Sequence, residues 1–232
     1  MYILGIETAT KTGGVAIVSE KGVIAEYTLN IEVTHSERLM STVDRVLKDT
    51  GLTLANVDGY GVSIGPGSFT GLRIGLSTVK GLAFSTGRPV AAVSTLMALA
   101  WNMPFSRYPV CPLLDARKKE VYAALYRQDG GKYMEEMSPR VVSLTSLAGT
   151  MTGDVLFTGE GARLFSEDIT RIFGERAHFA PLSSSVPSAA SVAEIALMML
   201  KSGQQTDPDA LVPLYIRRPE AEVAWEKRQR SL

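Results

Sequence analysis

The stretch Tyr2-Ile3-Leu4-Gly5-Ile6-Glu7-Thr8-Ala9-Thr10 decides the reading of this chain: an apolar run stops on an acid and turns. Val15 to Ser19 follows it, and then, across the turn Glu20-Lys21-Gly22, comes Val23 to Leu29. Short β-branched runs separated by turn residues predict three strands, Tyr2 to Glu7, Val15 to Ser19 and Val23 to Leu29, paired as an antiparallel meander. The same order returns in the second half. Leu113-Leu114-Asp115-Ala116-Arg117 is followed by Glu120 to Tyr126 and the turn Asp129-Gly130-Gly131. Strand, acid, turn and strand thus recur, which predicts a duplicated unit even though the two copies share little identity.

Working outward, Thr34 can cap a helix, with Glu37 reaching back as a capping box and Gly51 supplying the stop. Leu39, Met40, Val43, Val46 and Leu47 make one apolar stripe along it. A strand around Tyr60 to Ile64 runs into Gly65-Pro66-Gly67-Ser68 and a second helix from about Thr70 to Ser85. There Leu72, Ile74, Leu76, Val79 and Leu82 cover more than one stripe, and Gly71, Gly75 and Gly81 leave flat patches, so the helix can be packed on two sides. A strand at Pro89 to Val93 and a helix at Thr95 to Asn102 complete β-β-β-α-β-α-β-α. Further on, Val155 to Thr158 reads as a strand, Ala162 to Phe173 as a helix, and Ser188 to Ser202 as an amphipathic helix stopped by Gly203. Two β-β-β-α-β-α units about a central cleft are the plan of the actin, hexokinase and Hsp70 ATPases. The expected class is therefore α/β with an actin-like ATPase fold (ASKHA, ribonuclease H-like). The expected division is 1–103, carrying the two long helices, and 104–232, whose last helix and tail could pack back on the first.

The 232 residues are 45% hydrophobic, enough for a packed core, and Lys+Arg balances Asp+Glu at 24 each. A balanced chain has no general excess of charge with which to grip a phosphate backbone, so any nucleic-acid role is expected to be shared or indirect. The single cysteine, Cys111, lies in the apolar run Val110 to Leu114 and reads as a buried strand thiol. The N-terminus lacks a basic segment before its apolar run, and no apolar stretch approaches the ~20 residues of a bilayer span, so the expected compartment is the cytoplasm, with no membrane contact.

In the duplicated plan the acids Glu7 and Asp115 would face the cleft, where carboxylates can hold Mg²⁺ and water near phosphates. Thr8, Thr10 and Thr12, with Gly13 and Gly14, could offer hydroxyl and amide donors to a phosphate. The competing reading is a polar hairpin turn left from an ancestral nucleotide site, because no lysine-bearing Walker loop accompanies it. Gly65 to Ser68 could receive an anion at a helix N-terminus, or be a tight connection capped by Ser68. His35 and His178 do not form a two-histidine metal spacing, and no metal site or catalytic residue is expected. No Gly-x-Ser-x-Gly elbow is present, and Ser183-Ser184-Ser185 reads as a loop. The basic tail Trp225 to Arg230 could touch RNA, though a solvated tail is the simpler reading.

Together, Ile6-Glu7-Thr8-Ala9-Thr10, the run Gly65 to Arg73, Val93-Ser94-Thr95-Leu96, Leu114-Asp115-Ala116-Arg117 with Glu120-Val121-Tyr122, Thr158-Gly159-Glu160-Gly161-Ala162 and Pro213-Leu214-Tyr215-Ile216-Arg217 resemble the bacterial TsaB (YeaZ) family over nearly the whole chain. The most specific piece is the loop with Gly65, Pro66, Gly67, Ser68, Gly71 and Arg73. The resemblance implies a non-catalytic dimerisation and activation subunit of the complex that transfers a threonylcarbamoyl group to N6 of adenosine 37 in tRNAs reading ANN codons (t6A biosynthesis). It implies a TsaD-like catalytic subunit and a TsaE-like ATPase as partners, a homodimer when alone, and tRNA contact only through the complex. The chain itself would require no cofactor, with ATP or ADP and Mg at the junction with the catalytic partner. TsaD carries His-x-x-x-His after the strand corresponding to Val90 to Val93, and those two positions fall here on Thr95 and Leu99. Glu7 departs from the family, which more often has Asp. The helices His35 to Thr50 and Thr70 to Ser85 would dock the partner, with Leu39, Val43, Val46, Leu72, Leu76 and Val79 as candidate contacts. The alternative is a stand-alone nucleotide-binding phosphotransferase of the actin/hexokinase class using Glu7 and Asp115; a metallopeptidase lacks its ligand cluster.

Overall fold

The computed structural model describes residues 1–30, 35–130 and 132–217. The first half runs β1 (Tyr2–Glu7), β2 (Thr12–Ser19), β3 (Gly22–Asn30), α1 (His35–Thr50), β4 (Gly59–Gly65), α2 (Phe69–Thr86), β5 (Val90–Ser94) and α3 (Thr95–Trp101). The second runs β6 (Val110–Asp115), β7 (Glu120–Asp129), β8 (Lys132–Ser143), α4 (Leu144–Thr150), β9 (Val155–Thr158), α5 (Glu160–Leu164), α6 (Ser166–Phe173), β10 (Ala177–Phe179) and α7 (Ala189–Lys201). The two sheets have orders β3-β2-β1-β4-β5 and β8-β7-β6-β9-β10, so the second repeats the first strand for strand. Each begins with an antiparallel meander and continues in parallel through crossover helices. The duplicated actin-like plan expected from the acid-turn pattern is the one observed.

Three elements escape the sequence reading and one expected helix is divided. Strand β8 carries exposed Glu135 and Glu136 at a sheet edge and is paired through two register shifts, so its apolar alternation is broken. Helix α4 is only seven residues and is marked chiefly by its Ser143 cap, which accepts from the Ser146 amide. The helix expected over Ala162 to Phe173 breaks at Phe165 into α5 and α6. Strand β10 has three residues and exists through its pairing with β9. The Thr34 cap and the tail from Trp225 to Arg230 lie outside the described residues. Gly51 does close α1, in a left-handed conformation at φ 68°.

The first sheet is covered on both faces. Leu4, Ile6, Val15, Ile17 and Val62 meet α1 and α2 on one side. On the other, Ile3, Ala16, Val18, Ala91 and Val93 meet α7, which therefore belongs to the first core although it follows the second sheet in sequence. That approach is close because β1 and β4 present Gly5 and Gly61: a Cβ at Gly5 would lie 2.4 Å from the Ala189 carbonyl oxygen, and one at Gly61 2.6 Å from Ala196 Cβ. The second sheet packs Leu113, Val121 and Phe157 against Leu147, Ile169 and Phe173. Helix α3 joins the halves, with Leu96 and Leu99 clustered against Leu114, Tyr122 and Tyr126.

This packing corrects the expected docking residues. Leu39, Val43, Val46, Leu72, Leu76 and Val79 are all buried inside the chain, and all but Leu72 belong to the core cluster in which α1 and α2 cover the first sheet. Helix α2 instead turns Arg73, Ser77, Gly81, Phe84 and Ser85 outward, and α1 turns out Arg38, Met40, Ser41, Asp44, Arg45 and Lys48. Phe84 is 90% exposed. Among the described residues no helix is long and apolar enough to cross a membrane. Cys111 is buried, and desolvation pushes its thiol well above the ordinary value.

Candidate functional site

Between the halves lies a cleft of about 550 Å³. One wall is the turn after β1, with Ala9, Thr10 and Lys11, together with Gly67 to Thr70 at the start of α2. The other is the end of β6, with Leu114 to Arg117, joined by Tyr122, Glu160 and Arg217. Each wall includes one of the two strand ends and turns that the sequence pairs as repeats, so the duplication brings both turns to the cleft.

The two repeat acids behave differently. Glu7 is fully buried and lines no part of the cleft, which corrects its expected role. Its Oε1 accepts from the Ala9 amide at 2.5 Å. Burial raises its pKa to about 7, opposed by the Ala9 amide, the nearby Ser63 hydroxyl and the Thr8 amide. A carboxyl in such surroundings is a structural group held partly neutral rather than a cation ligand open to solvent. Asp115 does reach the cleft, where its Oδ1 accepts from the Arg117 amide at 2.8 Å and its Oδ2 lies 3.4 Å from the Arg117 guanidinium. The acid gathered beside it is Glu160, at the start of α5, which the sequence reading met only inside a resemblance motif. Desolvation, and then the Asp115 carboxylate, raise the Glu160 pKa above the ordinary carboxylate value. A signal for it was available: Glu160 follows the carboxyl end of the parallel strand β9, the edge where ligands of open α/β sheets gather.

The threonines divide as well. Thr8 is buried against α2, where a Cβ on Gly75 would stand 2.3 Å from the Thr8 hydroxyl. Thr10 lines the cleft while its hydroxyl accepts from the Thr12 amide at 3.2 Å and donates to the Thr12 carbonyl at 3.1 Å. Thr12 opens β2 beside a smaller recess shared with Lys11 and Arg163, and Gly13 lies within β2 opposite Leu29. Of the expected cleft group, Thr10 and Asp115 are therefore brought to the main cleft, and Glu7, Thr8, Thr12 and Gly13 are not.

The glycine-rich loop also acquires a structural meaning. A Cβ on Gly67 would fall 2.2 Å from the Ala9 carbonyl oxygen, and that oxygen accepts from the Ser68 amide at 2.6 Å. Gly65, at φ 115°, holds a cis bond to Pro66. The loop is thus seated directly on the β1–β2 turn, an approach only glycine permits. Ser68 caps α2, accepting from the Gly71 amide at 3.2 Å. Gly71 is buried, whereas Arg73 faces outward and donates to the Tyr215 hydroxyl at 2.9 Å. The tight-connection reading of this loop is realised, with the first turn of α2 opening on the cleft.

Among the other described residues the expected positions fall outside the cleft. Thr95 and Leu99 are fully buried in α3. His178 stacks on Tyr108 at 4.2 Å and its Nε2 lies 2.8 Å from Asp154, on β10 and outside the cleft. Among the described residues no group of three or more His, Cys, Asp or Glu side chains is placed to hold a metal ion.

Residues 22–225 match the family model described as TsaD, tRNA N6-adenosine threonylcarbamoyltransferase. The chain is 32% identical to the tRNA threonylcarbamoyladenosine biosynthesis protein TsaB of Bacillus subtilis, covering 99% of this chain and 100% of that one. It is 29% identical to the protein of the same name from Escherichia coli, over 98% of each. The solved YeaZ structure from Pseudomonas aeruginosa aligns with a TM-score of 0.79 at 28% identity, covering 92% of this chain and 99% of that one. A ROK hexokinase from Thermus thermophilus aligns at TM-score 0.51 and 13% identity over 88% of this chain and 100% of its own, a likeness of fold alone.

Proposed function

Because the chain belongs to the TsaB (YeaZ) family of tRNA threonylcarbamoyladenosine biosynthesis proteins, we propose that it is a non-catalytic subunit of the assembly that places threonylcarbamoyl on N6 of tRNA adenosine 37. The observation that carries this reading is the full-length likeness to relatives bearing that name, end to end at similar length. It favours a subunit of this pathway over a stand-alone phosphotransferase. The geometry supports the non-catalytic part: Glu7 is sealed away from the cleft, and Thr95 and Leu99 stand buried where the catalytic relative is expected to carry histidines. Neither a threonine nor a leucine replaces imidazole at such a metal.

The chain docks its TsaD-like partner, in the cytoplasm, through the outward faces of α1 and α2. An exposed phenylalanine beside small residues is the type of anchor that interfaces use, and Phe84 follows Ser77 and Gly81 along one side of α2. A TsaE-like ATPase joins the pair, ATP or ADP with Mg binds at the junction with the catalytic partner, and tRNA is met through the complex. Alone, the same face supports a homodimer.

The test mixes this chain with its cognate TsaD-like subunit on size-exclusion chromatography. A stable heterodimer is expected, and Phe84→Glu should weaken it by about 2 kcal/mol or more without changing the melting temperature of the isolated chain. Two separately eluting proteins would overturn the reading. In cells depleted of the chain, the modified nucleoside should fall in digests of total tRNA measured by mass spectrometry.

A further inference from the structure

The motif Pro213 to Arg217 puts Arg217 in the cleft wall and Tyr215 against Arg73 of α2, and within four residues it passes from one sheet to the other. The Leu214 amide donates to the Ile64 carbonyl at 2.7 Å, at the end of β4. Tyr215 then lies on the first turn of α2, its ring 5.0 Å from that of Phe69 and its hydroxyl holding the Arg73 side chain. Ile216 packs against the cluster that joins α3 to the second sheet. Arg217 donates to the Ala116 carbonyl and to the Glu120 carboxylate, one at each end of the β6–β7 turn.

That turn needs holding. Arg117, Lys118 and Lys119 follow one another at φ 64°, 54° and 62°, three consecutive side-chain-bearing residues in the left-handed region. Each such residue is strained and persists only where its surroundings leave it no alternative. Arg217 grips the two residues that bracket the strained three, and the gripped turn is a wall of the cleft. At the other end of the same strap, Arg73 is exposed on α2, one helical turn before Ser77 and two before Gly81.

We propose that Pro213 to Arg217 is a strap that couples the outward face of α2 to the width of the cleft, with Arg73 and Tyr215 as its sensing end and Arg217 as its gripping end. The ligand at the sensing end is an acidic protein surface: a partner carboxylate that takes Arg73 from Tyr215 slackens the strap, and the strained turn relaxes away from α2. The identity of that partner rests on the docking reading above, but the coupling is a property of the isolated chain.

The experiment is therefore amide hydrogen exchange on the full chain without partner. Arg217→Ala should raise exchange across residues 116–122 by about tenfold or more, since it removes charge-assisted bonds at both ends of the turn, while β1 and β4 stay protected. The decisive variant is Arg73→Ala, which touches no residue of the turn and sits at an exposed position that folding tolerates. It should raise exchange in the same residues, and should add nothing when placed on Arg217→Ala. Exchange at 116–122 unchanged in Arg73→Ala would overturn the proposal, as would fully additive effects in the double variant. If Arg217→Ala does not fold, Arg217→Lys, which keeps the charge and loses the forked grip, takes its place in the cycle. A failed heterodimer on chromatography would leave this result standing, and a null exchange result would leave the docking face standing.

Discussion

Strands β1 and β6 hold the same position in sheets of the same order and each ends on an acid, yet one acid is sealed and the other open. At the residue two back from each acid, the helices approach the two strands differently. In β1 that residue is Gly5, and α7 lies on it through Ala189 and Ala193. In β6 it is Leu113, which packs within the core of its own sheet, and the close contact there is made from the helix side by Gly161. The strand glycine lets the α7 backbone lie directly on β1, whereas Leu113 meets the helices of its own sheet through its side chain, and the end of β6 faces the cleft. Duplicated topology thus yields one structural half and one half that meets solvent.

The largest way to break this contrast is to fill the glycine. Gly5→Val places its branches against the Ala189 backbone, which cannot rotate away as a side-chain tip could. Loss of about 4 kcal/mol or outright failure to fold is expected, read by thermal or denaturant melting. A comparable truncation in the other half, Leu113→Ala, should cost about 3 kcal/mol through an ordinary cavity and leave α7 in place. Tolerance of Gly5→Val would mean that α7 does not hold β1 as tightly as described.

The next effect sharpens the contrast by pH. Glu7 titrates near 4.5 in the unfolded chain and near 7 in the fold, so between those values the folded state binds the extra proton. Stability from this group is therefore complete below about pH 4.5, falls as pH rises towards 7, and is flat above; the loss across the window is roughly 3 kcal/mol. Glu7→Gln cannot ionise, and should flatten that part of the profile and raise the denaturant midpoint at pH 8 relative to the native chain. Parallel profiles for the two proteins would show that Glu7 is solvated after all.

What could be read from the sequence follows from how local each cause is. The strand-acid-turn-strand pattern at Glu7 and Asp115, the Ser68 cap and the Gly51 stop are written within a few residues, and they delivered the duplicated plan. The burial of Glu7 is not local. It depends on neighbours from other strands, such as Ser63 on β4; the packing over Gly5 is no more local, since a run such as Ala189-Ala190-Ser191-Val192-Ala193 announces a helix without saying which sheet it covers. The same holds for Leu39, Val43 and Val79: a helical stripe predicts burial, but the resemblance assigned it to a partner when the chain's own sheet already occupied it. Glu160 and Arg217 were visible as motif members, and only the fold brings them to Asp115 and the β6–β7 turn.

The smallest effect tests the open side. Asp115 is held by one good bond, from the Arg117 amide, and by an ion pair to a guanidinium whose side chain is 84% exposed. The Asp115 side chain is 18% exposed, but its charged partner is solvated and the contact is long, so the pair contributes little and most of the loss in Asp115→Ala should come from the amide left without its acceptor, about 1 kcal/mol. Asp115→Asn keeps an oxygen in the same place and should cost less than half of that, measured by the denaturant midpoint at neutral pH. The ordering carries the argument. If removing Asp115 destabilised the chain as much as altering the buried end of β1, the two halves would be equally structural, and the cleft would have no side free to respond to a partner or to the strap that spans it.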